Sequence, residues 1–303
     1  MQKSGKQTQA DMMLLLVTLC WGVSYFMMDI CLQDLGTFTL NMFRFVGAFV
    51  LVMLLFPKKM RGISRHTAKY AVWVGISLYF TYIGATVGVQ FTSLSNAGFL
   101  CAMSVVITPV LDWIFKHRIP PRKLTLVVLA CAVGIGLMTL NEKMQFNIGD
   151  LFCLGCAVAN AAMAVIDETA VAQEDVDAFQ LGWLSLGVCG ILCTVTAFLA
   201  ESPHLPASAA TAGCTVFLMI FCTGLPFIVQ PIAQQYTSAV HVGVIFTMEP
   251  VFASIVAFAL AGERLLPRGY VGAVILLFAM LWMEIDLRSL LSGRKKDELD
   301  VHR

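Results

Sequence analysis

The sequence predicts an all-α polytopic membrane protein of ten transmembrane helices, arranged as two inverted five-helix repeats. Three observations carry that prediction. The composition is too apolar for water, the apolar residues fall into windows of membrane-spanning length, and the second half of the chain repeats the first. Of 303 residues, 58% are hydrophobic and 13% charged, with a mean hydropathy of +0.81. Soluble domains run at about 45–50% apolar and about 25% charged. The formal net charge of +1 leaves no basic footprint for nucleic acid.

Windows of about 19 apolar residues place the spans at Met12–Ile30, Thr39–Phe56, Tyr70–Val89, Asn96–Phe115, Leu124–Leu140, Gly149–Ile166, Phe179–Leu199, Thr211–Ile232, Ser238–Leu260 and Gly269–Asp286. They are helices, because a helix satisfies its own backbone polar groups in lipid. The first follows Lys3 and Lys6, but no small-residue cleavage site comes before Asp29, so it reads as an uncleaved span. The connections hold the breakers Pro57, Pro120, Pro121, Pro203, Pro206 and Pro267.

Basic residues orient the chain. With the N-terminus inside, the inner segments hold Lys3 and Lys6; Lys58, Lys59, Arg61, Arg65 and Lys69; Lys116, Arg118, Arg122 and Lys123; and Arg288, Arg294, Lys295, Lys296 and Arg303. The outer segments hold only Lys143, Arg264 and Arg268, and Arg44 lies within a span. Both termini are therefore expected in the cytoplasm and the protein in the cell (inner) membrane. The acidic connection from Glu168 to Asp177 has no basic residue and is silent on the point.

The repeat appears when QFTSLSNAGFLCAMSVVITPVLDWIF, from Gln90, is set beneath QQYTSAVHVGVIFTMEPVFASIVAFAL. Gln90 falls on Gln235, Phe91 on Tyr236, Thr92 and Ser93 on Thr237 and Ser238, and Gly98 on Gly243. The offset is about half the chain. Five spans per repeat is odd, so the second repeat enters the membrane from the opposite side. Inverted repeats belong to secondary transporters, whose sites lie near the midplane between the halves. The expected units are residues 10–140, residues 149–287 and a charged cytoplasmic tail, 288–303.

The stretch MEPVFASIVAFALAGERLLPRGYVGAVILLFAMLWM, from Met248, closely resembles the second repeat of EamA-type members of the drug/metabolite transporter superfamily. CWGVSYF (Cys20–Phe26), NMFRFVGAFVLVMLLF (Asn41–Phe56) and SNAGFLCAMSVVITPVLDWIF resemble helices of the first repeat. The resemblance covers roughly residues 10 to 287 and is specific for the fold, not for a substrate. It implies transport of small organic molecules: amino acids, other metabolites or drugs. The family's Glu-Arg at the end of the fourth helix is replaced here by Lys116-His117-Arg118, so no role passes to Glu263 by symmetry.

Candidate site residues are the polar groups inside apolar runs. A charge at a helix centre costs about 2.5–3.5 kcal/mol on insertion scales and therefore faces a cavity or a partner. Glu249, beside Pro250, reads as a proton-coupling or substrate-binding carboxylate, or as a structural acid hydrogen-bonded across helices. Arg44 can hold a substrate carboxylate bidentately, pair with Glu249 or Asp29, or snorkel to the headgroups. Asn41 shares its face. Gln230 lies near the end of a doubly proline-marked span (Pro226, Pro231) and can face a cavity. His241 is a second proton-coupling candidate, or simply hydrogen-bonded across helices. Trp21, Tyr82 and Asn160 can line a cavity or pack helices, as can Tyr79. Asp29 and Asp112 read as interfacial.

Most of the ten cysteines sit in apolar runs and read as small buried hydrophobes. Cys153 and Cys156 have a CxxC spacing without nearby partners, so neither a metal nor another cofactor is expected. No GxxxxGK[ST] motif for ATP appears, and no HExxH or GxSxG, so the chain does not read as an enzyme. The expected partners are a small-molecule substrate and the lipid bilayer. Gly84-x-x-x-Gly88 and Ala157-x-x-x-Ala161 allow close helix approach within one chain or in a homodimer. The expected function is a secondary transporter that exports small organic metabolites such as amino acids by alternating access, with a proton as the candidate coupling ion. The alternative is a membrane scaffold or sensor of the same fold.

Overall fold

The computed structural model describes residues 2–91, 100–117, 121–139, 148–256, 258–259 and 266–282. Its helices are α1 (Gln2–Leu32), α2 (Thr37–Leu55), α3 (Arg65–Phe91), α4 (Ser104–Lys116), α5 (Arg122–Thr139), α6 (Ile148–Val171), α7 (Ala178–Ala200), α8 (Ala209–Gln234), α9 (Ala239–Val256) and α10 (Pro267–Trp282). Among the described residues, seven are long and apolar enough to cross a membrane: α1, α2, α3, α6, α7, α8 and α9. The other three predicted spans fall on α4, α5 and α10, each of which borders residues outside the description. No strand occurs among the described residues, and the chain is a multi-pass membrane protein. Glu263, Arg264, Lys143 and the tail lie outside the described residues, as does the Asp29 side chain.

Large apolar side chains point outward all round, among them Leu54, Phe115, Phe198 and Phe278. Such a surface suits acyl chains rather than water. Inside, one core joins α1, α4, α5, α9 and α10 through residues such as Leu14, Val105, Cys131, Ile245 and Leu276. A second joins α2, α3, α6, α7 and α8 through Phe45, Leu78, Met163, Leu186 and Phe227. Both cores mix helices from the two halves of the chain.

Small residues set the close crossings. A Cβ on Gly84 would lie 2.9 Å from the Phe152 carbonyl, and one on Gly88 would press into Cys153, so the α3 pattern serves its contact with α6. Ala157 and Ala161 are buried on α6. Gly182 of α7 meets the Phe227 carbonyl of α8. In a regular helix that carbonyl would take the N–H of residue 231, which is a proline and has none.

Among the described residues, α8 and α9 depart from regular geometry at prolines. α8 widens into a π-helical turn at Ile220–Gly224, just before Pro226. α9 consists of Ala239–Phe246 and Glu249–Val256, joined by a turn at Thr247–Met248. There the Thr247 and Met248 amides bond back three residues, to Val244 and Ile245, at 3.1 Å each. Pro250 explains the break, because it cannot donate to the Phe246 carbonyl.

At one end of the bundle Glu201, closing α7, fastens the start of α2. Its carboxylate accepts from the amides of Phe38 (3.0 Å) and Thr39 (2.8 Å) and from the Thr39 hydroxyl (2.7 Å). An acid at a helix N-terminus satisfies orphan amides and suits the macrodipole. At the opposite end a cavity of about 670 Å³ opens between the ends of α4, α6 and α8 and the starts of α1 and α9.

Candidate functional site

Arg44 lies in the middle of α2, 1% exposed. Its side chain is enclosed within the bundle. Its Nε donates to Thr223 Oγ1 at 3.0 Å and its Nη2 to the Cys222 carbonyl at 3.3 Å. Nη2 also reaches Tyr82 Oη, and Nη1 reaches Met28 Sδ, each at 3.4 Å. The guanidinium carbon stands 5.2 Å from the centre of the Tyr82 ring. Among the described residues every group at hydrogen-bond distance is neutral.

The π-helical turn makes this possible. Pro226 has no N–H for the Cys222 carbonyl, which points instead at Arg44 and also accepts from Trp21 Nε1 at 3.1 Å. One proline thus converts a backbone carbonyl of α8 into a junction for side chains from α1 and α2. Aromatic rings close round it. Trp21 meets Phe246 at 4.7 Å and Phe227 at 5.9 Å, and Phe45 meets Tyr82 edge-on at 4.8 Å.

Glu249 is half-buried and opens the second helical segment of α9. It lies in the neighbourhood of Tyr82 and Cys101. Arg44 lies against Tyr82 from another helix, α2. The structure therefore brings Arg44, Tyr82, Trp21 and Glu249 into one neighbourhood. Asn41 is buried one turn from Arg44 on α2.

The other predicted residues form separate groups. Asn160 donates to Ser104 Oγ at 3.4 Å, tying α6 to α4. Gln230 is buried on α8 and donates to Asp167 Oδ2 at 3.3 Å and Gln234 Oε1 at 3.4 Å. His241 Nε2 stands 3.1 Å from Asp11 Oδ1 of α1, both side chains below a tenth exposed. Asp112 belongs to an ionic group in which Lys116 Nζ lies 3.1 Å from Asp112 and 2.9 Å from Glu168. Glu168 also accepts from the Ala239 amide at 2.8 Å. Tyr79 bonds Thr196 at 2.6 Å, away from Arg44.

Sequence reading missed Asp11, Asp167 and Thr223. Asp11 stands one residue before the first apolar window, yet α1 begins at Gln2 and carries it inside the bundle. Asp167 stands one residue past the sixth window, yet α6 runs on to Val171. An acid touching the edge of an apolar run was the available signal in both cases. Thr223 had a weaker one, a hydroxyl three residues before a mid-span proline.

Known proteins resemble this chain along most of its length. The EamA-like transporter family matches residues 8–140 and again residues 147–285. An uncharacterized transporter of Archaeoglobus fulgidus is 28% identical over 279 residues, covering 91% of this chain and 86% of the relative. A second uncharacterized transporter of that organism is 23% identical over 274 residues, covering 85% and 91%. A solved crystal structure superposes with a TM-score of 0.78 at 13% identity, over 93% of this chain and 99% of the other, a likeness of fold.

Proposed function

The chain belongs to the EamA-like transporter family, and from that premise we propose that it is a secondary transporter of small organic metabolites, amino acids among them. It exports them across the cell membrane by alternating access, with both termini in the cytoplasm. The observation that carries this reading is the Arg44 site. A permanently charged guanidinium is held deep among apolar helices by acceptors from α1, α3 and α8, with an acid nearby.

Arg44 engages the anionic group of the substrate. Its bonds to Thr223 and Cys222 anchor it, while the contacts to Tyr82 and Met28, at 3.4 Å, are long enough to yield to an arriving carboxylate. Trp21, Tyr82, Asn41 and Asn160 line the path, and Gln230 stands on its cavity side. Glu249 carries a coupling proton, with His241 as the second candidate.

Two further observations support ten helices in two inverted repeats. α4 is preceded by a turn at Met103, and α9 is interrupted at Thr247–Met248, at positions separated by the repeat offset. Several helix pairs also match when each helix is exchanged for the one five places away. The packing of α3 on α6 answers that of α8 on α1, and α4 on α6 answers α9 on α1. A rocking motion of one half against the other would use that symmetry.

The test is flux. Purified protein in liposomes loaded with a cell extract is expected to release one chemical class selectively, as read by mass spectrometry against protein-free liposomes. Glu249→Gln is expected to fold normally but to lose the dependence of that flux on a pH gradient. Equal retention of every compound across several pH gradients would overturn the transport reading. Unchanged pH-dependent flux in Glu249→Gln would remove the role given to that residue.

A further inference from the structure

Asp167 lies near the end of α6 and is 2% exposed. Among the described residues its one hydrogen bond is the one Gln230 Nε2 donates to Oδ2 at 3.3 Å. The same amide nitrogen reaches Gln234 Oε1 at 3.4 Å, and Gln234 Nε2 donates to the Ala164 carbonyl at 2.9 Å. Gln234 lines the 670 Å³ cavity. A polar line therefore runs from the cavity through Gln234 and Gln230 to a buried carboxyl.

Among the described residues two oxygens on that line have no hydrogen-bond partner: Asp167 Oδ1 and Gln230 Oε1. Both are acceptors, so what the site lacks is a donor. Among the described residues no Lys, Arg or His forms an ion pair with Asp167. The charged and titratable groups on the helices packed round it are committed or lie toward its surface end. On α4, Lys116 is held between Asp112 and Glu168, and on α9, His241 stands against Asp11. α3 brings Arg65, His66, Lys69 and Tyr70 at its first turns, and His66 bonds Asp175 at 2.8 Å. Glu249 lies far along α9, and the last ten residues of α8 carry no ionisable side chain.

A carboxylate buried without a cation is costly, and the common resolution is to take up a proton. A metal ion needs several oxygen ligands, whereas this site offers one carboxyl oxygen and one amide oxygen. A proton needs only one of them. Its addition forms an O–H bond on the carboxylate, removes the charge and turns an unpartnered acceptor into a donor.

We propose that Asp167 is a proton-binding site of this carrier, reached from the cavity through Gln234 and Gln230 and separate from Glu249 and His241. The use of that proton in coupled transport rests on the transporter reading above. The binding site stands on its own geometry.

Infrared difference spectra test the site without a substrate. The full-length protein in vesicles of phosphatidylcholine and phosphatidylglycerol is taken between alkaline and acidic pH. Wild type is expected to show the carbonyl-stretch band of a protonated carboxyl. The band is expected to be lost in Asp167→Asn and restored at a different frequency in Asp167→Glu, which also controls for folding. In Gln234→Leu it is expected to grow more slowly after a pH jump. An identical band in folded Asp167→Asn overturns the proposal, as does a spectrum that follows sodium concentration instead of pH. Flux then tests coupling: Asp167→Asn is expected to lose the acceleration given by a pH gradient while keeping exchange without one. If wild type moves nothing, the transporter reading fails, and the band still decides whether Asp167 binds a proton.

Discussion

Arg44 and Asp167 are both buried in the apolar interior, and the fold treats them in opposite ways. Arg44 has Thr223, the Cys222 carbonyl, Tyr82 and Met28 around it. Among the described residues Asp167 has one amide. The difference follows from chemistry. A guanidinium cannot shed its proton in a protein and offers only donors, so the fold must bring acceptors to it. It does so by widening α8 and using Pro226 to free a carbonyl. A carboxylate can discharge itself by taking up a proton, so its surroundings can stay sparse. Partner supply thus separates a fixed charge from a switchable one.

The largest break in that contrast is Arg44→Ala. It removes a large buried side chain and leaves space that α2, α3 and α8 cannot all close, so a loss of about 2–5 kcal/mol is expected, in the range of large-to-small core substitutions. Thermal unfolding in detergent measures it. Arg44→Met fills most of the volume without the donors. It is expected to recover much of the stability and none of the transport. Recovery of flux in Arg44→Met would mean that the arginine packs the site rather than binding substrate.

A smaller effect is expected from Trp21→Phe. It keeps the ring contacts with Phe246 and Phe227 but removes the Nε1–H that bonds the Cys222 carbonyl at 3.1 Å. That carbonyl retains Arg44, so it is not orphaned, and the change is worth about 1 kcal/mol, the net contribution of one hydrogen bond. A thermal shift as large as that of Arg44→Ala would show the carbonyl, not the guanidinium, to be the centre of the junction.

The two regions were unequally legible in the sequence. Arg44 announced itself, because a lone basic residue in a long apolar window has few explanations. Its partners did not, since a backbone carbonyl has no letter. Pro226 was visible as a kink, but that the freed carbonyl belongs to Cys222 and meets α1 and α2 is a matter of tertiary packing. Asp167 failed for a different reason. Hydropathy windows stop at the first charge, so an acid in the final turns of a helix reads as loop, and only the continuation of α6 to Val171 shows it buried. The breaks at Met103 and Met248 follow the same rule. The repeat was legible as a register of letters, whereas the turns that share its offset are backbone features.

The smallest predicted effect sharpens the contrast most. Asp167→Asn keeps the shape of the side chain and an oxygen to accept from Gln230, while removing any possibility of charge. If Asp167 were a structural anion tied down by its surroundings, its loss would destabilise the fold, because buried charges that have partners are costly to remove singly. With one amide partner there is little to lose, and the expense of burying a charge disappears. The thermal midpoint of Asp167→Asn is therefore expected to equal or exceed that of wild type, most clearly at alkaline pH, where wild type is pressed to ionise a carboxyl that nothing neutralises. A midpoint several degrees lower at alkaline pH would reveal a cationic partner for Asp167 and would place it with Arg44 among the fixed charges of the core.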